Sequence, residues 1–205
     1  MPRIFRLLAL SVLGFSLAAC ATTDMATRSA PLEVPGFQQA APSFDVTELR
    51  VRVPKSLRVS EANVYYPVAD IVWRGEPMGN RHQQITQLVG TAFQEGTQQL
   101  EGIQPVLVDV EVTRFHSLTE KARYTIGGVH SIRFNMTVRD AATGAVIVPT
   151  RKVIADLDAL GGRVALAAEA NGISQKSRIH GHLVELIKLE LTRPLVATGA
   201  APEEA

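Results

Sequence analysis

Pro105-Val106-Leu107-Val108-Asp109-Val110-Glu111-Val112-Thr113-Arg114-Phe115 is the stretch from which the fold is read. Valine recurs at 106, 108, 110 and 112, while Asp109, Glu111 and Thr113 occupy the other parity. A period of two puts alternate side chains on opposite faces of a strand, so this segment predicts a strand with one apolar face and one polar face. The same alternation returns at His130–Arg139, where Ile132, Phe134, Met136 and Val138 form the apolar set. Between 140 and 144 the sequence Asp-Ala-Ala-Thr-Gly predicts a hairpin connection, with Gly144 placed where positive φ is needed. Ala145–Val148 begins the returning strand, which resumes from Lys152 to Leu157 beyond Pro149. Residues 158–172 are rich in Gly and Ala and carry no clear period.

Working outward, Asp45–Val53 sets Leu49, Val51 and Val53 against Glu48, Arg50 and Arg52, and predicts another half-buried strand. Pro54 ends it or marks an edge. Ala69–Trp73 fits a short strand. From Arg81 the period lengthens: Ile85, Leu88, Val89, Ala92 and Phe93 share one helical face, with Asn80 as cap and Gly102 as stop. Its polar face is mostly glutamine. A last helix fits Ser174–Leu191, where Ile179, Leu183, Leu186, Ile187 and Glu190 fall on one side and Pro194 follows. Strands, helix, three strands, helix predict an α+β two-layer sandwich: a mainly antiparallel sheet with two helices on one face. The other face carries Asp109, Glu111, Arg133, Asn135, Thr137 and Arg139, and suits solvent or a partner. This domain is expected over 45–194, with a disordered tail at 195–205.

The first 19 residues have a different character. Arg3 and Arg6 precede an apolar run, and Leu17-Ala18-Ala19-Cys20 closes it. Leu7 to Ala19 is 13 residues, whereas a membrane-spanning helix needs roughly 20. The segment therefore reads as a secretory signal peptide. Cys20 is the single cysteine of the chain. In a secreted protein it would be left as a reactive thiol unless modified. Residues 20–44 hold three prolines and many small residues, which suits a flexible tether. Its root-mean-square reach would be roughly 27 Å.

Composition narrows function mainly by exclusion. After loss of Arg3 and Arg6 the chain has 19 basic against 20 acidic side chains, a net charge of −1. No basic excess is available for nucleic acid. The chain has no GxSxG elbow, no HExxH and no phosphate-binding loop. His180 and His182 are two apart on a helix and do not converge on one ion, and His82, His116 and His130 are scattered, so they read as solvent-facing or hydrogen-bonded side chains. No metal and no cofactor are expected. Asp109 and Glu111 share a strand face, where alternating charge is far commoner than a catalytic pair. Tyr65, Tyr66 and Trp73 are the candidates for a partner surface, because Tyr and Trp are favoured at interfaces. Capping the end of the core is the competing reading for them.

Leu17-Ala18-Ala19-Cys20 resembles the lipobox of bacterial lipoproteins. With the proline-containing tether and a single α+β domain, the chain resembles small Gram-negative envelope lipoproteins of uncharacterised families. That resemblance implies cleavage before Cys20, diacylation of its thiol and anchorage in the membrane. Ala21, where aspartate would favour inner-membrane retention, implies the outer membrane facing the periplasm. The expected role is a non-enzymatic binding or accessory module whose partner is an unknown envelope protein or lipid. The alternative is a lipid- or glycolipid-handling accessory protein with an apolar groove between helices and sheet. A hydrolase assembled from Asp109, Glu111 and His130 ranks third.

Overall fold

The computed structural model describes residues 41–195. The signal peptide at 1–19, Cys20, most of the 20–44 tether and the tail beyond 195 lie outside the described residues. In chain order the elements are β1 (Phe44–Arg52), β2 (Ile71–Val72), α1 (Arg81–Thr97), β3 (Gln104–His116), α2 (Glu120–Arg123), β4 (Gly128–Asp140), β5 (Val146–Ile154), β6 (Leu157–Ala159), α3 (Gly162–Ala170) and α4 (Gln175–Thr192). The sheet runs β1-β3-β4-β5, with β2 also on β3 and β6 also on β4. It is α+β and mainly antiparallel, as the periodicity predicts. Two strands depart from that pattern: β1 and β2 both run parallel to β3. Alternation reports which face a side chain takes and carries no information about strand direction, and α1 supplies the crossover that a parallel neighbour requires.

Val108, Val110 and Val112 of β3 stand opposite Val138, Met136 and Phe134 of β4 on the helix side of the sheet, and Val106 is buried on the same side. Ile85, Leu88, Val89 and Phe93 from α1, with Ile179, Leu183 and Ile187 from α4, close that layer, each 2% exposed or less. The Phe93 and Phe134 rings meet edge to face with centroids 5.2 Å apart, a geometry that adds to the burial itself. Strict alternation would have placed Phe115 on the polar face. A bulge at Thr113 inserts one residue, so that Val112 pairs with Phe134 but Arg114 pairs with Arg133, and Phe115 returns to the core fully buried.

Local chemistry explains the element ends. The Asn80 side chain accepts from the Gln83 amide at 3.2 Å and starts α1. That helix stops at Thr97, before Gly102. Ser174 and Ser177 form a reciprocal capping box on α4. In the hairpin, Asp140 Oδ1 accepts from the Ala142 and Thr143 amides, and Gly144 takes φ 73°, as its place in the turn requires. β5 continues through Pro149 by shifting register against β4. The Gly/Ala-rich stretch forms β6 and α3, where only Ala165 is buried. So little burial leaves almost no periodic signal in the sequence.

Candidate functional site

Three surfaces stand out. The first is the connection from β1 to α1, residues 53–80, which carries the expected aromatic candidates. It is long but tightly fastened. Arg81, 3% exposed, donates from Nε to Glu61 Oε1 at 2.8 Å and from Nη1 to the Pro77 carbonyl at 3.1 Å. Thr119 donates to the Val64 carbonyl at 2.9 Å, and Asn63 accepts from the Lys121 amide at 2.8 Å. His116 Nε2 lies 3.0 Å from the Pro67 carbonyl. Hydrogen bonding to Arg81 holds the Glu61 carboxyl below its ordinary value, so the staple is ionised at neutral pH.

This fastening divides the three aromatic candidates. Tyr66 is 80% exposed and its neighbour Val68 85%. Tyr65 is partly exposed, with the Lys121 ammonium 4.6 Å from its ring centroid. Trp73 is not on the surface. It is 1% exposed, its ring stands edge-on to Phe115 at 5.5 Å, and its indole N–H donates to Glu76 Oε2 at 3.0 Å. Ile71-Val72-Trp73 is a continuous apolar run buried on both sides, so the Trp73 side chain belongs to the end of the core. Tyr65 and Tyr66 keep their place as surface candidates.

The second surface is the polar face of the sheet, a shallow trough of about 430 Å³ that includes Arg52, Asp109, Glu111, Asn135 and Arg139. Its charges answer one another across the strands. Arg139 Nε lies 2.9 Å from Asp109 Oδ2, and Arg52 pairs with Glu111. His130 is on the opposite, helix side of β4 and 1% exposed, so the sheet separates it from the two carboxylates. The hydrolase arrangement is not brought together. Nor is His130 solvent-facing or fully hydrogen-bonded, since its Nδ1 has no partner. Burial, then Arg178, Arg123 and His182 in turn, pushes its pKa down to about 3. His82 and His116 do make the hydrogen bonds expected of them. Among the described residues no group of three or more His, Cys, Asp or Glu could hold a metal ion, and no helix is long and apolar enough to cross a membrane.

The third surface was not foreseen from the sequence. It is a groove of about 600 Å³ between β1 and α1. One wall is the half-buried Val46, Leu49 and Val51 of β1; the other is the α1 face around Gly90, with Thr86, Thr91, Gln87 and Gln94. Among the described residues no charged side chain lines it. The glutamine-rich helix face was the available signal, but alone it reads equally well as a solvated face.

The fold and these surfaces define an α+β sheet-and-helix module with a fastened β1–α1 connection and, among the described residues, no strand on the outer side of β1. The chain belongs to a family of unknown function, DUF6778, whose model matches residues 44–203. No curated protein matches. Among solved structures, the chain is similar to protein XCC0632 from Xanthomonas campestris, a DUF330 protein, at 10% identity and TM-score 0.44. That match covers 75% of this chain and 86% of the other. It is also similar to a proposed lipoprotein from Caulobacter crescentus CB15, at 12% identity and TM-score 0.33 over 69% and 87%. A third is the PelC dodecamer from Paraburkholderia phytofirmans, at 9% identity and TM-score 0.29 over 71% and 93%.

Proposed function

We propose that this protein is a lipid-anchored, non-enzymatic accessory module of the bacterial cell envelope. Cys20 holds it at the periplasmic side of the outer membrane, and the β1–α1 connection binds a protein partner. The observation that carries this reading is the fixed display of Tyr66 and Val68, 80% and 85% exposed, on a segment held down by the nearly buried Arg81. A segment already ordered loses less conformational entropy on binding, and exposed aromatic and aliphatic side chains supply the area to be buried. The Leu17–Cys20 lipobox accounts for the location. Two or more acyl chains on one residue make stable anchorage, whereas one gives only marginal binding.

The lipid-handling alternative needs an apolar space between helices and sheet. Most of that layer is filled by Ile85, Phe93, Ile179, Leu183 and Ile187, all fully buried. The space that remains, the groove between β1 and α1, is apolar only on its Val46, Leu49 and Val51 wall, its helix wall being Thr86, Gln87, Thr91 and Gln94. This favours the protein-binding reading.

The test is crosslinking in intact cells with fractionation. Wild-type protein is expected in the membrane fraction with a crosslinked adduct. Cys20→Ser is expected to move to the soluble fraction, and Tyr66→Ala/Val68→Ala to stay on the membrane without the adduct. Membrane retention of Cys20→Ser overturns the anchor, and an unchanged adduct in the double variant overturns the docking loop.

A further inference from the structure

We infer that the β1 edge is a self-association surface, at which a second copy of the chain adds its own β1 antiparallel to the first and continues the sheet across a two-fold axis at Leu49. This goes beyond the partner reading above and uses a different surface.

Four observations lead to it. First, among the described residues no strand covers the outer side of β1. β1 is nine residues long with one register shift between Val46 and Glu48; the regular stretch from Glu48 to Arg52, which holds Leu49 and Arg50 and is free of proline, is a template for another strand. Second, the side chains of β1 complement their own copy. With Leu49 opposite Leu49 of the second copy, Glu48 falls opposite Arg50 and Arg50 opposite Glu48. Directly opposed charges of unlike sign stabilise an antiparallel pair. Within one chain these two residues pair with each other at the surface, Arg50 Nε lying 2.6 Å from Glu48 Oε1 with both side chains more than half exposed, and Asp109, opposite Arg50 on β3, is shared with Arg139. Such a surface pair contributes little by itself. Antiparallel registers one step away in either direction bring Glu48 opposite Glu48 or Arg50 opposite Arg50, so the charges also select the register.

Third, the α1 wall of the groove is uncharged. At a two-fold interface each patch meets or lies near its own image, and a patch of one charge sign would repel itself. The Thr86, Gln87, Thr91 and Gln94 face avoids this, and glutamine can both donate and accept towards an identical glutamine. Fourth, Gly90 lies in the middle of α1, where glycine costs about 1 kcal/mol relative to alanine. Nothing lies within 4 Å of where its Cβ would be. Among the described residues, therefore, no packing requires glycine there. Absence of a side chain at the centre of the groove allows a second backbone or helix to come close. The half-buried Val46, Leu49 and Val51 then supply apolar area for the contact.

The experiment is sedimentation of the full chain in mild detergent over a range of concentrations, with charge reversals at the two-fold axis. Wild type is expected to dimerise. Glu48→Arg and Arg50→Glu each create two like-charge contacts and are expected to raise the dimer dissociation constant tenfold or more. A one-to-one mixture of the two variants restores both unlike pairs. One chain then carries two arginines at positions 48 and 50, the other two glutamates, and each arginine meets a glutamate across the axis. The mixture is expected to form a heterodimer near wild-type affinity. Chains that failed to fold would not be rescued by mixing. A wild-type chain that stays monomeric, single variants that associate as wild type does, or a mixture that fails to re-associate overturns the proposal. None of these outcomes bears on the Cys20 anchor or the Tyr66 loop.

Discussion

The two sides of the sheet are finished in opposite ways. Beside β5, the chain uses proline and buried charge. Pro149 removes a donor from the edge, the register shifts on either side of Val138, and Arg151 reaches over to α4. There it donates to the Glu190 carbonyl at 2.5 Å and lies 3.0 Å from the Glu190 carboxylate, which is 9% exposed. His130, on β4 where β6 pairs, adds another buried polar group on this side. Beside β1 there is no proline and no buried charge: half-buried valine and leucine face an uncharged helix surface, exposed Glu48, Arg50 and Arg52 take the other face, and a single register shift falls between Val46 and Glu48. Edges left open are aggregation hazards that proteins usually block. One edge here is blocked and the other is prepared, which is what a protein using one edge as a contact would need.

The contrast predicts that acid attacks the β5–β6 side first, and this is the largest expected effect. Folded His130 is neutral with a pKa of about 3, whereas its ordinary value is 6.5. Between those values the unfolded chain binds the extra proton. Stability is therefore complete above pH 6.5 and falls as the pH falls, by about 1.4 kcal/mol per pH unit and about 5 kcal/mol in all. Glu61 and Glu76 are also held below their ordinary value of 4.5. Their contribution is present above pH 4.5 and lost below it, so the interval from 6.5 to 4.5 isolates His130 from them. Denaturant unfolding at about pH 7 and about pH 5 should show wild type losing about 2 kcal/mol, a loss that His130→Leu largely abolishes because it has no site for the proton. Hydrogen exchange in the more acidic buffer should rise around β6 before β1. Equal losses in both proteins, or earlier exchange in β1, would remove the asymmetry.

A smaller effect tests the clasp. Arg151→Met keeps most of the aliphatic stem but leaves the Glu190 carboxylate, nine-tenths buried, without its closest cation. Removing one partner of a buried pair is costly because the other charge stays behind. With Arg151 partly exposed and Arg193 still 3.5 Å from Glu190, the expected loss is about 2 kcal/mol. Thermal unfolding should then fall by about 4–8 °C. No change would mean the clasp contributes nothing and the β5 edge is guarded by Pro149 alone.

This contrast also marks where sequence reading runs out. α1, β3 and β4 were legible because each buries one full face: Ile85, Leu88 and Phe93 repeat at helical spacing, and the valines of β3 repeat every two residues. Glu190 falls on the apolar stripe of α4, and the sequence alone gives no reason for it. The reason is Arg151, 39 residues away and across a packing layer. For Trp73 the sequence offers both a surface contact and a cap on the core, and Phe115 and Glu76 around the ring decide for the core. The direction of β1 leaves no trace in hydrophobic pattern, since it does not change which residues are buried, and the bulge at Thr113 leaves only the step of three from Val112 to Phe115. The groove is the extreme case. Val46, Leu49 and Val51 read as one face of a strand and Gln87, Gln94 and Gly90 as part of a helix surface, and only the parallel placement of β1 beside α1 makes them two walls of one site.

The smallest effect separates folding from association at the open edge. Gly90→Ala puts a methyl group where nothing lies within 4 Å, on a helix interior where alanine is favoured over glycine by about 1 kcal/mol. Among the described residues of a single chain the substitution has nothing to clash with, so the variant should be about 0.5–1 kcal/mol more stable than wild type in denaturant unfolding. At a self-association interface the same methyl group fills the gap through which the second copy approaches. Dimerisation should therefore weaken while the monomer becomes more stable, two changes of opposite sign from one carbon atom. Glycine at a solvated helix position with no contact to preserve would give only the first change. A variant that is both more stable and equally well associated would leave Gly90 without a role at the groove and would move the contact away from α1 towards the strand edge alone.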